Sequence, residues 1–168
     1  MQTRSSIRAL AIGGMLVALG TLSAHIIYFP VGVARAFPVQ HAINVIAAVL
    51  LGPVPTVLVA AAIAVLRNLL GVGTLLAFPG GMIGALVAGL AYRAHRRPYV
   101  AALGEVLGTG LLGAMVSFPV ARLLMGSEAG ALFFIVPFTV SSISGALLAL
   151  GMLKVLPVFQ STVGSERE

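Results

Sequence analysis

The chain has 168 residues, of which 60% are apolar and 8% charged, and its ten Lys and Arg against four Asp and Glu leave a formal net charge of +6. A water-facing domain carries about a quarter of its residues charged, so a soluble globule is excluded, and the mean hydropathy of +1.12 fits a chain whose outer surface meets lipid. The absence of cysteine removes disulfides, thiolate metal sites and cysteine nucleophiles.

Spans of about 20 residues cross the bilayer, so the length holds five or six of them and no soluble domain. The first span runs from about 7 to 29, after Arg4 and Arg8. A cleaved signal peptide is the alternative, with a weak site near Ser23 and Ala24; the apolar run continues past that site, so an uncleaved span is expected. Phe29-Pro30-Val31-Gly32 breaks this helix, and a short connection carries Arg35 and Phe37-Pro38. The second span, 39–51, is short enough to start inside the membrane or to tilt. Gly52-Pro53-Val54-Pro55 is a tight turn, followed by a third span at 55–70 and a break at Gly71-Val72-Gly73-Thr74. The fourth span covers 75–92, and Arg93, His95, Arg96 and Arg97 form a basic loop. The fifth covers 99–124, a polar turn holds Gly126, Ser127, Glu128 and Gly130, and the sixth covers 131–156. The expected organisation is one all-α bundle of six transmembrane helices over 1–160 with a polar tail at 161–168.

Charge sets the expected orientation. With both termini cytoplasmic, the inner segments hold Arg4, Arg8, Arg93, Arg96, Arg97, Lys154 and Arg167, and the outer ones hold only Arg35, Arg67 and Arg122. Basic loops stay inside, so the positive charge serves topology and no nucleic-acid partner is expected. Small residues at four-residue spacing allow helices to approach in lipid. Gly80 and Gly84, Gly104 and Gly108, Gly113 and Ser117, and Ser141 and Gly145 are expected to pack the bundle. Ala9 with Gly13, and Gly14 with Ala18, mark faces of the first helix where a partner helix could dock.

Ionisable groups at membrane depth need a partner or a function. Glu105 is the one acid expected inside a span. The favoured reading pairs it with a snorkelling Arg93, Arg96 or Arg97; an ion-coupling or substrate carboxylate is the alternative. Gln40, His41 and Asn44 share a helical face at the outer start of the second span. Arg35 and Phe37 precede them, His25 and Tyr28 end the first span, Arg67 and Asn68 end the third, and Thr74 and Phe78 open the fourth. Ring-stacking groups and a few hydrogen-bonding side chains in an apolar setting suit a small polar heteroaromatic ligand. The candidate binding residues are therefore Tyr28, Arg35, Phe37, Gln40, His41, Asn44, Asn68, Thr74 and Phe78. The plainer alternative is that these groups satisfy broken helix ends facing water. There is no catalytic set, no metal or other cofactor is expected, and no Walker loop is present, so any ATP-driven work would fall to a partner chain.

Several stretches carry a family resemblance: FPVGVARAFPVQHAINV at 29–45, LLGP at 50–53, LRNLLG at 66–71, LAFPG at 76–80 and GEVLGTG at 104–110. Together they resemble the ThiW family over about residues 7–156. The resemblance implies an S component, the substrate-binding subunit of a bacterial energy-coupling factor importer in the cell membrane. Such a six-helix bundle would capture the thiamin precursor hydroxyethylthiazole from outside. A transmembrane T component and two ATPase subunits would drive uptake. The family's small-residue docking face on the first helix would correspond to Ala9 and Gly13, with Gly in place of the second Ala. A neutral thiazole would suit a pocket with one basic group and no acid nearby. A stand-alone channel or secondary carrier is the competing expectation, although no inverted repeat or charged ion path is evident.

Overall fold

A computed structural model of the chain describes residues 2–32 and 34–155. The expected polar tail at 161–168, and with it Arg167, lies outside the described residues. Helix α1 spans Gln2–Ser23, and a two-stranded antiparallel hairpin follows, β1 (Phe29–Val31) and β2 (Ala34–Ala36). Then come α2 (Pro38–Leu51), α3 (Pro53–Leu69) and α4 (Ala77–His95). The next rod is continuous from Pro98 to Leu124 but has three parts: α5 (Pro98–Leu107), a π-helical segment (Gly108–Gly113) and α6 (Ala114–Leu124). A 3-10 turn (Ala131–Phe134) leads into α7 (Ile135–Val155). The result is an all-α membrane bundle of six rods, whose hairpin end lies opposite the ends where α1 begins and α7 stops.

Local chemistry explains the boundaries. Helix α1 stops six residues before the expected end at 29. The Ser23 hydroxyl donates to the Gly20 carbonyl (3.2 Å) and His25 Nδ1 reaches the Thr21 carbonyl (3.3 Å), so side chains take over the last carbonyls of the helix. The segment expected as a plain connection is instead the hairpin, with Phe29 opposite Ala36 and Val31 opposite Ala34. Pro38, Pro53 and Pro98 each open a helix, where a missing N–H costs nothing. Gly52 joins α2 to α3 at φ +81°, a conformation that disfavours any residue with a side chain.

Helix α2 is the centre of the bundle. Every residue from Gln40 to Val49 is buried, against α1, α3, α4, α5 and α7. A helix buried on every side in this way is a core helix, and its one polar face, Gln40, His41 and Asn44, is buried with it. The outer rods turn Leu10, Leu58, Leu69, Leu103, Leu123 and Leu147, each more than half exposed, to their surroundings. Two rods, Pro98–Leu124 and Leu132–Val155, have the length and composition to cross a membrane, and Ile7–Ser23, Pro38–Leu51 and Pro53–Leu69 are shorter apolar helices.

Glycine lets α4 and the Pro98–Leu124 rod approach closely. A methyl on Gly108 would lie 2.9 Å from Gly84 Cα, and one on Gly113 would lie 2.9 Å from Gly80 Cα. Gly104 would similarly meet Ala88 Cα at 3.1 Å. Gly145 of α7 packs on α2, where a methyl would meet the Ala42 N–H at 2.8 Å. The expected small-residue pairs on the last three rods are thus used inside the bundle. On α1 the outcome differs. Gly13 is buried, and a methyl on it would meet the Val59 side chain of α3 at 3.6 Å, whereas Gly14 and Ala18 stand exposed and a methyl on Gly14 would meet nothing within 4 Å. Ala9, one turn before Gly13 on the same side of the helix, is half-buried, so the exposed small residues of α1 are Gly14 and Ala18.

Candidate ligand site

Helix α2 has 14 residues, about 21 Å at 1.5 Å each, whereas the 27-residue Pro98–Leu124 rod is about 40 Å long. Both ends of α2 therefore lie inside the bundle. Its exit turn is recessed, with Pro53 packed where a side chain on Gly89 would stand. Its entry is roofed by the hairpin. The Gln40–Asn44 turn thus sits near mid-depth rather than at the rim, and the space left above it is a cavity of about 380 Å³. That volume falls within the roughly 300–1,000 Å³ typical of small-molecule sites.

Below the cavity floor lies a buried polar cluster. Glu105 and Asn44 are fully inaccessible. Three donors meet Glu105 Oε1: His41 Nδ1 at 2.7 Å, Thr109 Oγ1 at 2.9 Å and Asn44 Nδ2 at 3.1 Å. Asn44 Nδ2 also donates to the Gly81 carbonyl at 3.1 Å, and Thr109 Oγ1 lies 3.0 Å from the Gly80 carbonyl. A hydroxyl has one proton, so Thr109 serves either Glu105 or Gly80 at a given moment. Because His41 commits Nδ1 to the carboxylate, Nε2 is the ring nitrogen left for the cavity that His41 lines. A carboxylate on the far nitrogen is a standard way of fixing imidazole orientation and tautomer. Only Gly at 84 leaves room for this cluster, since a methyl there would stand 2.7 Å from Glu105 Oε2.

This arrangement corrects the expected pairing of Glu105 with the basic loop. Arg93, Arg96 and Arg97 are exposed, and Arg97 donates to the Tyr99 hydroxyl instead (2.6 Å). The Glu105 backbone is nearer the basic loop, but the short, recessed α2 brings His41 and Asn44 down to the carboxylate. The expectation of a pocket without a nearby acid is overturned by the same geometry.

The cavity wall above is basic and aromatic. Arg67, on the last turn of α3, is 3% exposed. Its Nη1 donates to Gln40 Oε1, its Nη2 to the Val72 carbonyl at 3.3 Å, and its guanidinium lies 3.8 Å from the Phe37 ring centre. Phe37 and Tyr28 tilt against each other at 6.1 Å, and Arg35 covers the Tyr28 ring at 4.9 Å. The rim is therefore a ladder of Arg35, Tyr28, Phe37 and Arg67, held by cation–π contact. Ser141 of α7 accepts the Phe37 N–H at 2.8 Å and pins the base of the hairpin to the bundle.

Of the nine candidates, Arg35, Phe37, Gln40, His41 and Thr74 line the cavity. Tyr28 stacks behind Phe37 at the rim. Asn44 lies one layer below, under Gly81. Asn68 holds the α3–α4 loop by donating to the Ala64 and Thr74 carbonyls, at 2.8 and 3.1 Å. Phe78 is half-buried in the first turn of α4 and is not part of the lining.

The lining also contains Arg67, Thr109, Phe134, Phe138 and Ser141, none of them among those nine. For Arg67 the signal was an arginine at the end of an apolar run. For Thr109 it was the four-residue spacing from Glu105, which places both on one helix face. Phe134 and Phe138 share that spacing but look like ordinary apolar residues in sequence.

A protein-family model described as thiamine-precursor transporter protein (ThiW) matches residues 10–158. Searches of curated proteins and of solved structures found no match.

Proposed function

The chain belongs to the ThiW family of thiamine-precursor transporters, and on that premise we propose that it is the substrate-capture subunit of an ATP-driven energy-coupling factor importer. The cargo in this reading is hydroxyethylthiazole. The observation that carries it is the roofed cavity of about 380 Å³, with Phe134 and Phe138 for a flat ring and Gln40, His41 and Ser141 for its polar substituents. His41 Nε2 is suited to meet the side-chain hydroxyl of such a ligand.

Orientation follows from charge. The end bearing the Arg93–Arg97 loop, Arg8 and Lys154 is the cytoplasmic one, because basic loops are retained inside. The cavity then opens to the outside, as capture requires, and the protein sits in the bacterial cell membrane with both termini cytoplasmic. Hydrolysis of ATP belongs to two separate ATPase subunits, coupled through a transmembrane T component. The T component docks on the outward stripe of α1 that carries Gly14 and Ala18. Small residues there let a second helix approach.

Isothermal titration of the purified protein with hydroxyethylthiazole tests the reading. Saturable heat is expected in the wild type, with at least tenfold weaker binding in His41→Ala. No heat with any thiamin precursor would end the substrate claim. Uptake by this chain alone into proteoliposomes without ATP would instead establish a stand-alone carrier.

A further inference from the structure

The cavity wall holds a positive charge that no carboxylate among the described residues pairs with directly. Arg67 is almost wholly buried in a membrane bundle, where an isolated charge is costly and marks a pathway or a ligand contact. Its partners are all neutral: the Gln40 side-chain oxygen, the Val72 carbonyl and the Phe37 ring. Its Nε has no hydrogen-bond partner among the described residues. Glu105 accepts from His41, Asn44 and Thr109 below the cavity floor and makes no ion pair with Arg67. Glu128 is exposed in the loop after α6. The guanidinium nevertheless lines the cavity, and Arg35 lines it as well.

We propose that Arg67 forms an anion subsite in this cavity, and that the ligand it takes is a small heteroaromatic carrying a carboxylate or phosphate group. The inference rests on the capture function proposed above and, within it, favours an anionic form of the thiazole over the neutral alcohol. Phe37 holds the guanidinium plane from one side and Gln40 fixes Nη1, so the fork is pre-oriented, and a planar fork suits two-oxygen anions. Arg35 at the mouth adds a second positive charge on the entry route, and paired cations raise the local concentration of an approaching anion. The ring of the ligand would lie toward Phe134 and Phe138, across the cavity.

Three probes test this: hydroxyethylthiazole, its phosphate monoester, and the acetate analogue in which the CH2OH group is replaced by a carboxylate. Each is titrated into the full-length protein in detergent at low and high salt. At low salt, at least one anion is expected to bind ten times more tightly than the alcohol, as a hydrogen-bonded charge should, with the ratio falling as salt rises. In Arg67→Gln the ratio should drop toward one. If that variant does not fold, Arg67→Lys and Arg35→Gln must each lower the ratio instead. Binding of the alcohol as tight as, or tighter than, both anions overturns the subsite while leaving the capture function standing. Persistence of the anion preference in Arg67→Gln overturns it too. Failure of all three probes to bind overturns both.

Discussion

Replacing Glu105 offers the sharpest test of the buried cluster. In Glu105→Ala, His41 Nδ1 and Asn44 Nδ2 lose their shared acceptor, and Thr109 keeps only the Gly80 carbonyl. Interhelical hydrogen bonds in membrane bundles are worth about 0.6–1.7 kcal/mol each, so two or three of them sum to about 1–5 kcal/mol. Leaving a buried donor without its acceptor costs about 1–3 kcal/mol, and with His41 and Asn44 both left so the two routes overlap near 3 kcal/mol. For a chain of this size that corresponds to a fall of about 6–12 °C in melting midpoint, readable by circular dichroism in detergent. Glu105→Gln retains one carbonyl oxygen for His41 and Asn44 and is expected to lose less than half as much. The double variant His41→Ala with Glu105→Ala should destabilise by at least about 1 kcal/mol less than the two single variants added together, because contacting residues are not independent. A melt of Glu105→Ala within 2 °C of wild type, or strict additivity in that cycle, would refute the convergence of three helices on this carboxylate.

Two glycine substitutions probe opposite surfaces. Gly84→Ala puts a methyl 2.7 Å from Glu105 Oε2 and against Thr109; overpacking of this kind costs about 1–3 kcal/mol. Its melting midpoint should fall and its ligand affinity weaken, and an unchanged midpoint would show that α4 is not seated on the cluster. Gly14→Leu meets nothing within 4 Å, so it should melt and bind ligand as wild type does while recovering less T component on affinity purification; undiminished recovery removes this stripe from the docking surface.

Membrane character, six apolar runs and family membership were legible in the sequence. Each depends on composition or on contiguous stretches, such as the run from Phe29 to Val45 and the GEVLGTG segment. The glycine pairs were legible too, since a four-residue spacing on a helix sets a common face whatever the helix packs against. The hairpin at 29–36 was not. Three-residue strands interrupted by Pro30 and Gly32 carry too short a pattern to separate from a turn. The π-helical segment at Gly108–Gly113 was equally hidden, because widening one turn leaves the apolar pattern of the rod intact.

Glu105 marks where local reading stops. Sequence proximity placed it beside the basic loop, seven residues past Pro98, and nothing nearby announced His41. Its partners were set by relative helix depth: α2 is about half the length of the Pro98–Leu124 rod, and its exit turn is recessed against Gly89. The sequence by itself determined which residues are too polar to face lipid. Only the tertiary structure decided which of them meet, because depth and rotation come from close packing of several helices at once, and no single stretch of chain contains that information.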